Sequence, residues 1–245
     1  MLPVAILAGG LASRLQPLTR HTPKSLVMVA GRPFIFHQLE LLRSQGVRRV
    51  VLCVGHLGEQ IESAVGDGRQ FGLDVEYSFD GSRLLGTGGA LKRAMPLLGA
   101  DFFVLYGDSY LPCSFATIQA AYEAAHQPAL MTVLRNDNRW GRSNVAFRAD
   151  GSIEYNKDLG RDDPLHGASQ FERAGHIDFG LSALSGRVLQ PYPEATTVDL
   201  ADIWRALSCQ GQLAAFEVTG RFYEIGSRAG LADTEAFLTR RLVTA

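Results

Sequence analysis

The sequence has few cysteines, and their arrangement argues against two kinds of structural cross-link. Only Cys53, Cys113 and Cys209 are present among 245 residues; their number is odd, and none of them belongs to a CxxC motif. A disulfide framework and a structural zinc site both require other numbers or spacings. We therefore expect a chain that works in a reducing compartment, the cytoplasm.

Lysine is also scarce. Of the 24 basic residues only Lys24, Lys92 and Lys157 are lysines, and the other 21 are arginines. An ammonium is a compact point charge and a guanidinium is a broad planar group, so the two are not interchangeable. A lysine retained in such a chain can mark a site that requires a point charge, although codon bias would give the same composition.

Excess charge and long apolar segments are absent as well. The 24 basic and 25 acidic residues leave a net charge of −1, without a basic block. Phosphate polymers and anionic surfaces attract clustered cations, so we expect neither nucleic acid nor a membrane as a partner. No uncharged stretch reaches the roughly 18 apolar residues of a membrane-spanning helix. The apolar start, residues 2–12, lacks the basic segment of a signal peptide and is typical of a first strand.

What the sequence does contain is a regular alternation of strand and helix patterns. With 46% hydrophobic residues, a chain of this length can bury a substantial core. The patterns predict strands over 3–8, 47–54, 73–79 and 102–106, and helices over 35–45, 59–65 and 88–98. This succession predicts an α/β fold whose sheet is mostly parallel and covered by helices.

The second half is less regular and predicts an antiparallel elaboration. Strands are expected over 129–134, 144–148, 152–156, 175–183, 213–218 and 222–225. The second and third of these form a predicted hairpin across Asp150 and Gly151, and residues 158–173 form a predicted surface loop. Asp199 is expected to cap a helix, and a last helix begins near Ser227. Because no linker or repeat is visible, we expect one domain over 1–245.

A glycine pair follows the first predicted strand. The N–H groups of Gly9 and Gly10 can bind an anion without interference from a Cβ, and Arg14 can add two parallel hydrogen bonds to phosphate. The segment is neither a GxGxxG fingerprint nor a P-loop, and a plain glycine turn beside a surface arginine explains it equally well. Lys24 follows in the same long connection, either as a phosphate ligand or as a solvated lysine.

A second glycine-rich segment, LLGTGGAL, begins a predicted helix. Gly86, Gly88 and Gly89 would permit close approach by a flat ring or a phosphate at the helix N-terminus. In the alternative interpretation Thr87 caps the helix and the glycines only allow tight packing.

Three charged residues lie at or within predicted strands. Asp108 follows a buried strand, where ligands bind in open α/β sheets, and its carboxylate suits Mg²⁺ that bridges phosphates; capping of the next turn is the alternative. Glu224 lies in an apolar strand, either as a second metal ligand or on a solvated side of the sheet. Lys157 lies at the end of a strand.

Taken in order, these segments resemble the sugar-1-phosphate nucleotidylyltransferases along essentially the whole chain. The matching runs are LAGGLASRLQPLTRHTPKSL, GRPFIFHQLELLRSQGV, LLGTGGALKRA, LYGDS, YNK, HIDFGLSAL and FYEIGS. The resemblance implies a Rossmann-like three-layer sandwich with a mixed, mostly parallel sheet. It also implies transfer of a nucleoside monophosphate from an NTP to a sugar 1-phosphate, with release of pyrophosphate. The nucleotide-binding half would span about 1–110 and the sugar-binding half about 111–245.

The resemblance also implies a role for each matching residue. Arg14 would bind the leaving pyrophosphate, Lys24 would neutralise charge at the attacked α-phosphate, and Lys157 would take the sugar phosphate. Asp108 and Glu224 would hold Mg²⁺, although the family often has Asp in the position of Glu224. The implied nucleotide-binding residues are Leu7, Ala8, Gly9, Gly10, Asp80, Gly86 and Thr87. The implied sugar-binding residues are Gly141, Asn144, Lys157 and Asp178.

Base and sugar stay open. The chain looks most like heptose or mannose 1-phosphate guanylyltransferases and is similar in size to uridylyltransferases for N-acetylmuramate 1-phosphate, so GTP or UTP is expected, and relatives often form homodimers. Two other functions are also considered: a cytidylyltransferase for a non-sugar phosphate such as phosphocholine, and a catalytically silent nucleotide-sugar sensor. Loss of Arg14, Lys24 or Asp108 would indicate the sensor, and all three are present.

Overall fold

A nine-stranded mixed sheet crosses the described part of the chain. The computed structural model describes residues 1–148, 152–157 and 175–243. The strands are β1 (Val4–Leu7), β2 (Met28–Val29), β3 (Arg32–Pro33), β4 (Arg49–Val54), β5 (Asp74–Phe79), β6 (Asp101–Tyr106), β7 (Ser109–Tyr110), β8 (Ala129–Arg135), β9 (Val145–Phe147), β10 (Ile153–Tyr155), β11 (His176–Ser185), β12 (Leu213–Val218) and β13 (Tyr223–Glu224). The helices are α1 (Phe34–Ser44), α2 (Gly58–Val65), α3 (Gly86–Leu98), α4 (Phe115–Ala125), α5 (Leu200–Cys209) and α6 (Arg228–Val243).

The strand directions show how the two halves of the chain join. The main run of neighbours is β12-β8-β11-β6-β1-β4-β5, and the β9–β10 pair attaches at His176, the first residue of β11. Strands β6, β1, β4 and β5 pair in parallel, as do β8 and β12. Strand β11 runs antiparallel between β6 and β8. The mixed, mostly parallel sheet expected from the sequence is therefore confirmed.

Helices cover both faces of this sheet. Ile35 of α1, Ile61 of α2 and Phe115 of α4 are buried in one hydrophobic cluster, on the face to which Ile6 of β1 points. Leu91 of α3 and Trp204 of α5 belong to the cluster on the other face. Because successive side chains of a strand point to opposite faces, the short apolar runs read from the sequence are buried on both sides. The structure is thus the expected three-layer sandwich.

Two small antiparallel sheets lie outside the main one. Strand β2 pairs with β3, and β13 pairs with β7, so that Glu224 lies opposite Ser109. Helix α6 packs over this region through Leu238, which shares a third cluster with Tyr110 and Ile225. These contacts bring the C-terminal segment back to the end of β6, where Asp108 lies.

Most predicted elements are present. Helix α3 begins two residues before the predicted start, and β9 and β10 pair antiparallel as a hairpin would. The turn predicted at Asp150 and Gly151 and the loop predicted over 158–173 lie outside the described residues. All three cysteines are free thiols. None of the helices in the described ranges is long and apolar enough to cross a membrane.

Candidate active site

A cleft opens at the carboxyl ends of the parallel strands β1, β4, β5 and β6. It is lined by all seven residues that the sequence assigned to nucleotide binding, which are Leu7, Ala8, Gly9, Gly10, Asp80, Gly86 and Thr87. Lys24 and Asp108, two of the predicted catalytic residues, line it too, together with Tyr106 and Ser25. Ligands of open α/β sheets bind at this edge, so the fold places the predicted residues where a substrate would lie.

The Gly9–Gly10 turn forms one wall of the cleft, and its two glycines differ. A Cβ at Gly9 would lie 3.0 Å from the backbone nitrogen of Gly55, whereas a Cβ at Gly10 would meet nothing within 4 Å. Gly9 is therefore required for close packing between the turns that follow β1 and β4. Gly10 leaves open space that the described part of the chain does not fill.

Lys24 and Asp108 form an ion pair in the cleft. The Lys24 ammonium lies 2.7 Å from Oδ2 of Asp108, and the two side chains are only 19% and 25% exposed. A short 3₁₀ turn, Lys24–Leu26, carries the lysine. Pairing a cation with a carboxylate at this depth avoids an isolated charge. It also means that the two residues predicted to handle the α-phosphate and the metal already contact each other.

Gln38 holds the Asp108 loop in place, and the sequence reading missed it. It is buried on the inner face of α1. Its amide nitrogen donates to the carbonyl oxygens of Tyr106, at 3.0 Å, and of Ser109, at 2.7 Å, on either side of Asp108. A polar residue within the apolar stripe of a helix is the sequence signal that could have identified it.

Arg14 and Glu224 approach Asp108 around Gly226. A Cβ at Gly226 would touch the Glu224 carboxylate and would lie 3.2 Å from Oδ2 of Asp108 and 3.5 Å from Nη2 of Arg14. The backbone N–H of Ile225 donates to the carbonyl oxygen of Asp108 at 2.9 Å. Glu224 is therefore half-buried beside Asp108, where the pairing of β13 with β7 holds it.

The donor set around Gly226 fits a magnesium ion. Magnesium prefers oxygen ligands and is usually held by one or two carboxylates together with substrate phosphates and water. Asp108 and Glu224 supply two such carboxylates. Within the described residues there is no group of three or more His, Cys, Asp or Glu that could hold a metal ion, so substrate phosphates or water would have to complete the site. The Glu224 carboxylate also accepts hydrogen bonds from the N–H of Gly226 and from the Ser227 hydroxyl, the latter at 2.9 Å.

The glycines at the start of α3 allow another segment of the chain itself to approach the helix closely. A Cβ at Gly86 would lie 2.5 Å from the carbonyl oxygen of Val198, and a Cβ at Gly89 would lie 2.5 Å from that of Thr196. The Val198 carbonyl also accepts hydrogen bonds from the N–H groups of Gly88, at 2.9 Å, and Gly89, at 3.2 Å. The close approach is thus made by the chain itself, and these two amides are already occupied.

Thr87 does not cap α3, so this detail of the packing interpretation is wrong. Its hydroxyl donates to Oδ1 of Asp199 at 3.0 Å and accepts the N–H of Leu200 at 2.7 Å. Asp199 caps α5, as predicted, by accepting the N–H of Ala201 at 3.0 Å. Its other oxygen, Oδ2, lies 2.5 Å from the ammonium of Lys157. The residue preceding α3 is Leu85, which makes no side-chain cap.

The residues predicted to bind sugar lie close to one another. Asn144 accepts the N–H of Asp178 at 2.9 Å, and its own carbonyl accepts the N–H of Asn156, next to Lys157, at 3.0 Å. Gly141 is close to β11 too, since a Cβ there would lie 3.4 Å from Cδ1 of Ile177. These residues come from three separate segments that only the sheet brings together.

Two carboxyl groups near the cleft are partly desolvated. Burial raises the pKa of Asp178 to about 6. The N–H of Gly180 donates a hydrogen bond to this carboxylate at 2.9 Å, which offsets part of the rise. Burial likewise raises the pKa of Asp80, and the N–H of Leu85 offsets part of the effect. Burial and the nearby Asp178 carboxylate also raise the pKa of Tyr106, which lines the cleft. Perturbed groups of this kind concentrate at functional sites.

Lys92, the third lysine, lies outside this constellation. It is half-buried on α3 and donates weakly to the carbonyl of Gln190 at 3.4 Å. Its ammonium lies at the surface, where the chain near Gln190 packs against this helix. Two of the three lysines, Lys24 and Lys157, lie at the predicted site.

The fold and the cleft together define an α/β protein with cations and carboxylates arranged for a polyanionic ligand. The family model described as nucleotidyl transferase matches residues 4–142, more than half of the chain. The chain belongs to the nucleotidyl transferase family, and the resemblance to sugar-1-phosphate nucleotidylyltransferases is confirmed.

Similar proteins agree with this assignment. An N-acetylmuramate alpha-1-phosphate uridylyltransferase from Neisseria meningitidis serogroup B is 29% identical over 233 residues, 94% of this chain and 96% of its own. The catalytic subunit beta of a mannose-1-phosphate guanylyltransferase from Drosophila pseudoobscura is 30% identical over 225 residues, and the match spans 90% of this chain but 58% of that relative. A solved structure from Bacillus anthracis, in complex with a sucrose, has the same fold, with a TM-score of 0.78 at 21% identity over 98% of this chain and 96% of that one.

Proposed function

We propose that this chain transfers a nucleoside monophosphate from an NTP to a sugar 1-phosphate and releases pyrophosphate. The observation that carries the proposal is the half-buried Lys24–Asp108 pair, 2.7 Å apart, at the open Gly9–Gly10 turn. A cation, a carboxylate and unfilled space in one cleft suit a triphosphate with its metal ion. Family membership and the names of the relatives support the same reaction.

The reaction needs no protein nucleophile. A phosphate oxygen of the sugar 1-phosphate is ionised at neutral pH and attacks the α-phosphorus in line; the bond to the bridging oxygen of the β-phosphate breaks, and pyrophosphate leaves. The main obstacle is repulsion between two polyanions. Fixed cations aimed at developing charge reduce it, and we assign this role to Lys24 at the α-phosphate and to Arg14 at the leaving pyrophosphate. Lys157 is assigned to the sugar phosphate.

Asp108 and Glu224 are the residues that would hold Mg²⁺. When bound, the ion would supply positive charge to the phosphate oxygens and help to orient them. Lys24 contacts the Asp108 carboxylate directly and shares its charge.

Among substrates, we propose UTP first and GTP second, with an amino-sugar or hexose 1-phosphate as acceptor. The relative that matches over nearly its whole length is named a uridylyltransferase for N-acetylmuramate alpha-1-phosphate, and the other is named for mannose 1-phosphate and guanylyl transfer. We also infer that the chain works in the cytoplasm, which three free thiols support, and that it forms a homodimer.

The test is a matrix of four NTPs against a panel of sugar 1-phosphates and phosphocholine, with Mg²⁺, scored by release of pyrophosphate. We expect turnover with UTP or GTP and at least one sugar 1-phosphate. Asp108→Asn should abolish turnover, while Asp202→Asn, an exposed carboxylate on α5, should not. Turnover with CTP and phosphocholine alone would support the cytidylyltransferase. A folded protein that binds nucleotide sugar without any turnover would support the sensor.

A further inference from the structure

Asp199 is the point at which the two halves of the site meet. Its Oδ1 accepts the N–H of Ala201 and the hydroxyl of Thr87, each at 3.0 Å, and its Oδ2 lies 2.5 Å from the ammonium of Lys157. Thr87 lines the nucleotide cleft. One carboxylate therefore contacts the wall of the nucleotide cleft, the start of α5 and the lysine assigned to the sugar phosphate.

The backbone fixes the position of this carboxylate. Besides the two amides of α3 that bind the Val198 carbonyl, the N–H of Val198 donates to the carbonyl of Leu85 at 2.9 Å, and the N–H of Leu200 donates to the Thr87 hydroxyl at 2.7 Å. Residues on both sides of Asp199 are thus bonded to the first turn of α3. The carboxylate can rotate little without breaking one of these contacts.

Among the residues that the structure describes, Lys157 has no comparable support. It lies just after β10, and its side chain is 60% exposed. A lysine side chain has four rotatable carbons and loses considerable rotamer freedom when it is fixed. The ion pair with Asp199 is the contact that directs its ammonium towards α3.

The protonation state of Asp199 is compatible with such a role. Partial burial alone would raise its pKa, but the hydrogen bonds from Lys157, from the N–H of Ala201 and from Thr87 hold the pKa below its ordinary value. The group is therefore a carboxylate at neutral pH.

We propose that Asp199 is a positioning residue that holds the Lys157 ammonium beside the nucleotide cleft, so that the sugar phosphate is received in line with the α-phosphate. The inference rests on the proposed function, because it takes Lys157 to be the ligand of the sugar phosphate. The alternative is that Asp199 only caps α5 and that its pairing with Lys157 has no bearing on substrate.

Asp199→Asn separates these two roles. Asn and Asp are equally good helix caps, so the variant keeps an oxygen for Ala201 and Thr87, but it removes the charge that attracts Lys157. Asp202→Asn is the matched control, because it removes one carboxylate from an exposed position on the same helix. Both variants should melt close to the temperature of the wild type.

The first readout is steady-state kinetics with the sugar 1-phosphate and NTP that give turnover in the wild type. For Asp199→Asn we expect the KM for the sugar 1-phosphate to rise about tenfold, as misplaced binding groups do, while the KM for the NTP stays within about twofold. Asp202→Asn should behave like the wild type. An unchanged KM, or a lower KM because Asp199 competes with the phosphate for Lys157, would overturn the proposal.

The second readout does not depend on activity. Reductive ¹³C-methylation labels the amino groups of a chain that has only three lysines, and single Lys→Arg variants assign the signals. In Asp199→Asn the Lys157 signal should shift, and those of Lys24 and Lys92 should not. Titration with inorganic phosphate should move the Lys157 signal at lower concentration in the wild type than in the variant. If the wild type shows no turnover but these shifts appear, the proposed function fails and the positioning role of Asp199 stands. If turnover is normal and the shifts are absent, the proposed function stands and the positioning role fails.

Discussion

The two glycine-rich segments that line the cleft look alike in sequence and differ in what surrounds them. A Cβ at Gly10 would meet nothing within 4 Å, whereas one at Gly86 or Gly89 would lie 2.5 Å from a backbone carbonyl of residues 196–198. One turn leaves space that no described residue fills. The other is filled by the chain itself, and the amides at the start of its helix are hydrogen-bonded to Val198.

Glycine is therefore favoured at the two turns of this site for two different physical reasons. At the first turn the small residue keeps room for something other than protein, and at the second it lets two pieces of backbone approach. The second arrangement also gives the α3 turn its rigidity, because it is bonded to the segment that carries Asp199. Substitutions of glycine by alanine, which add a single methyl group, should separate these two reasons.

The largest effect is expected at the filled turn. Gly86 has φ +72°, and a Cβ there would lie 2.5 Å from the Val198 carbonyl oxygen. Gly86→Ala should therefore lower the free energy of unfolding by about 3 kcal/mol, through a left-handed backbone and a clash with backbone atoms. Urea unfolding measures it. Gly99→Ala at the other end of α3 is the control, since Gly99 has φ +84° with nothing within 4 Å, and it should lose only about 1 kcal/mol.

The next effect concerns the cation beside the open turn. Lys24→Arg keeps the charge but places a broad planar group between Asp108 and the glycines, where 19% exposure leaves little room. A shift of about 1 Å in the bound phosphates can lower the rate about 10²-fold, so we expect a loss of that size in kcat/KM with an unchanged Tm. Lys92→Arg, outside the cleft, should stay within about twofold of the wild type. If Lys24→Arg is equally active, a bare positive charge suffices there, and codon bias is the better explanation of the scarce lysines.

The fold and most of the cleft could be predicted because their signals are local. Apolar runs that end in glycine or aspartate marked β1 and β6, and the residues after them line the cleft. The contact between 196–198 and α3 could not be predicted in the same way. It joins segments more than 100 residues apart through backbone atoms, and backbone groups have no signature in a sequence.

The polar support of the site was missed for a related reason. Gln38 and Asp199 act through hydrogen bonds to residues distant in sequence, at Ser109 and Thr87 respectively. Each had an ordinary local explanation: Gln38 belonged to a helix, and Asp199 capped one. Only the tertiary packing, which sets α1 against β7 and α5 against α3, gives them their second partners.

A smaller effect should appear at the open turn. Gly10→Ala adds a methyl group where the chain offers no contact, so the free energy of unfolding should change by less than about 0.5 kcal/mol. If the space belongs to the nucleotide, kcat/KM should nevertheless fall about tenfold, which corresponds to about 1.4 kcal/mol. Gly220→Ala, at an exposed site with only a 3.9 Å contact, is the control and should change neither quantity. Full activity in Gly10→Ala would show that nothing occupies that space during turnover.

The smallest effect concerns Asp178 on β11, a carboxyl group that burial leaves poorly solvated. Burial raises the pKa of Asp178 to about 6, above its value of about 4 in an unfolded chain. The folded state therefore binds this proton more tightly, and its contribution to stability is present below about pH 4 and is lost as the pH rises through 6. Asp178→Asn cannot ionise, so its stability relative to the wild type should increase between pH 4 and pH 5, by about 1 kcal/mol. Urea unfolding of both proteins at the two pH values gives this difference, in which the other titrating groups cancel. A difference that stays constant or moves the other way would mean that the Asp178 carboxylate is well solvated in the folded chain.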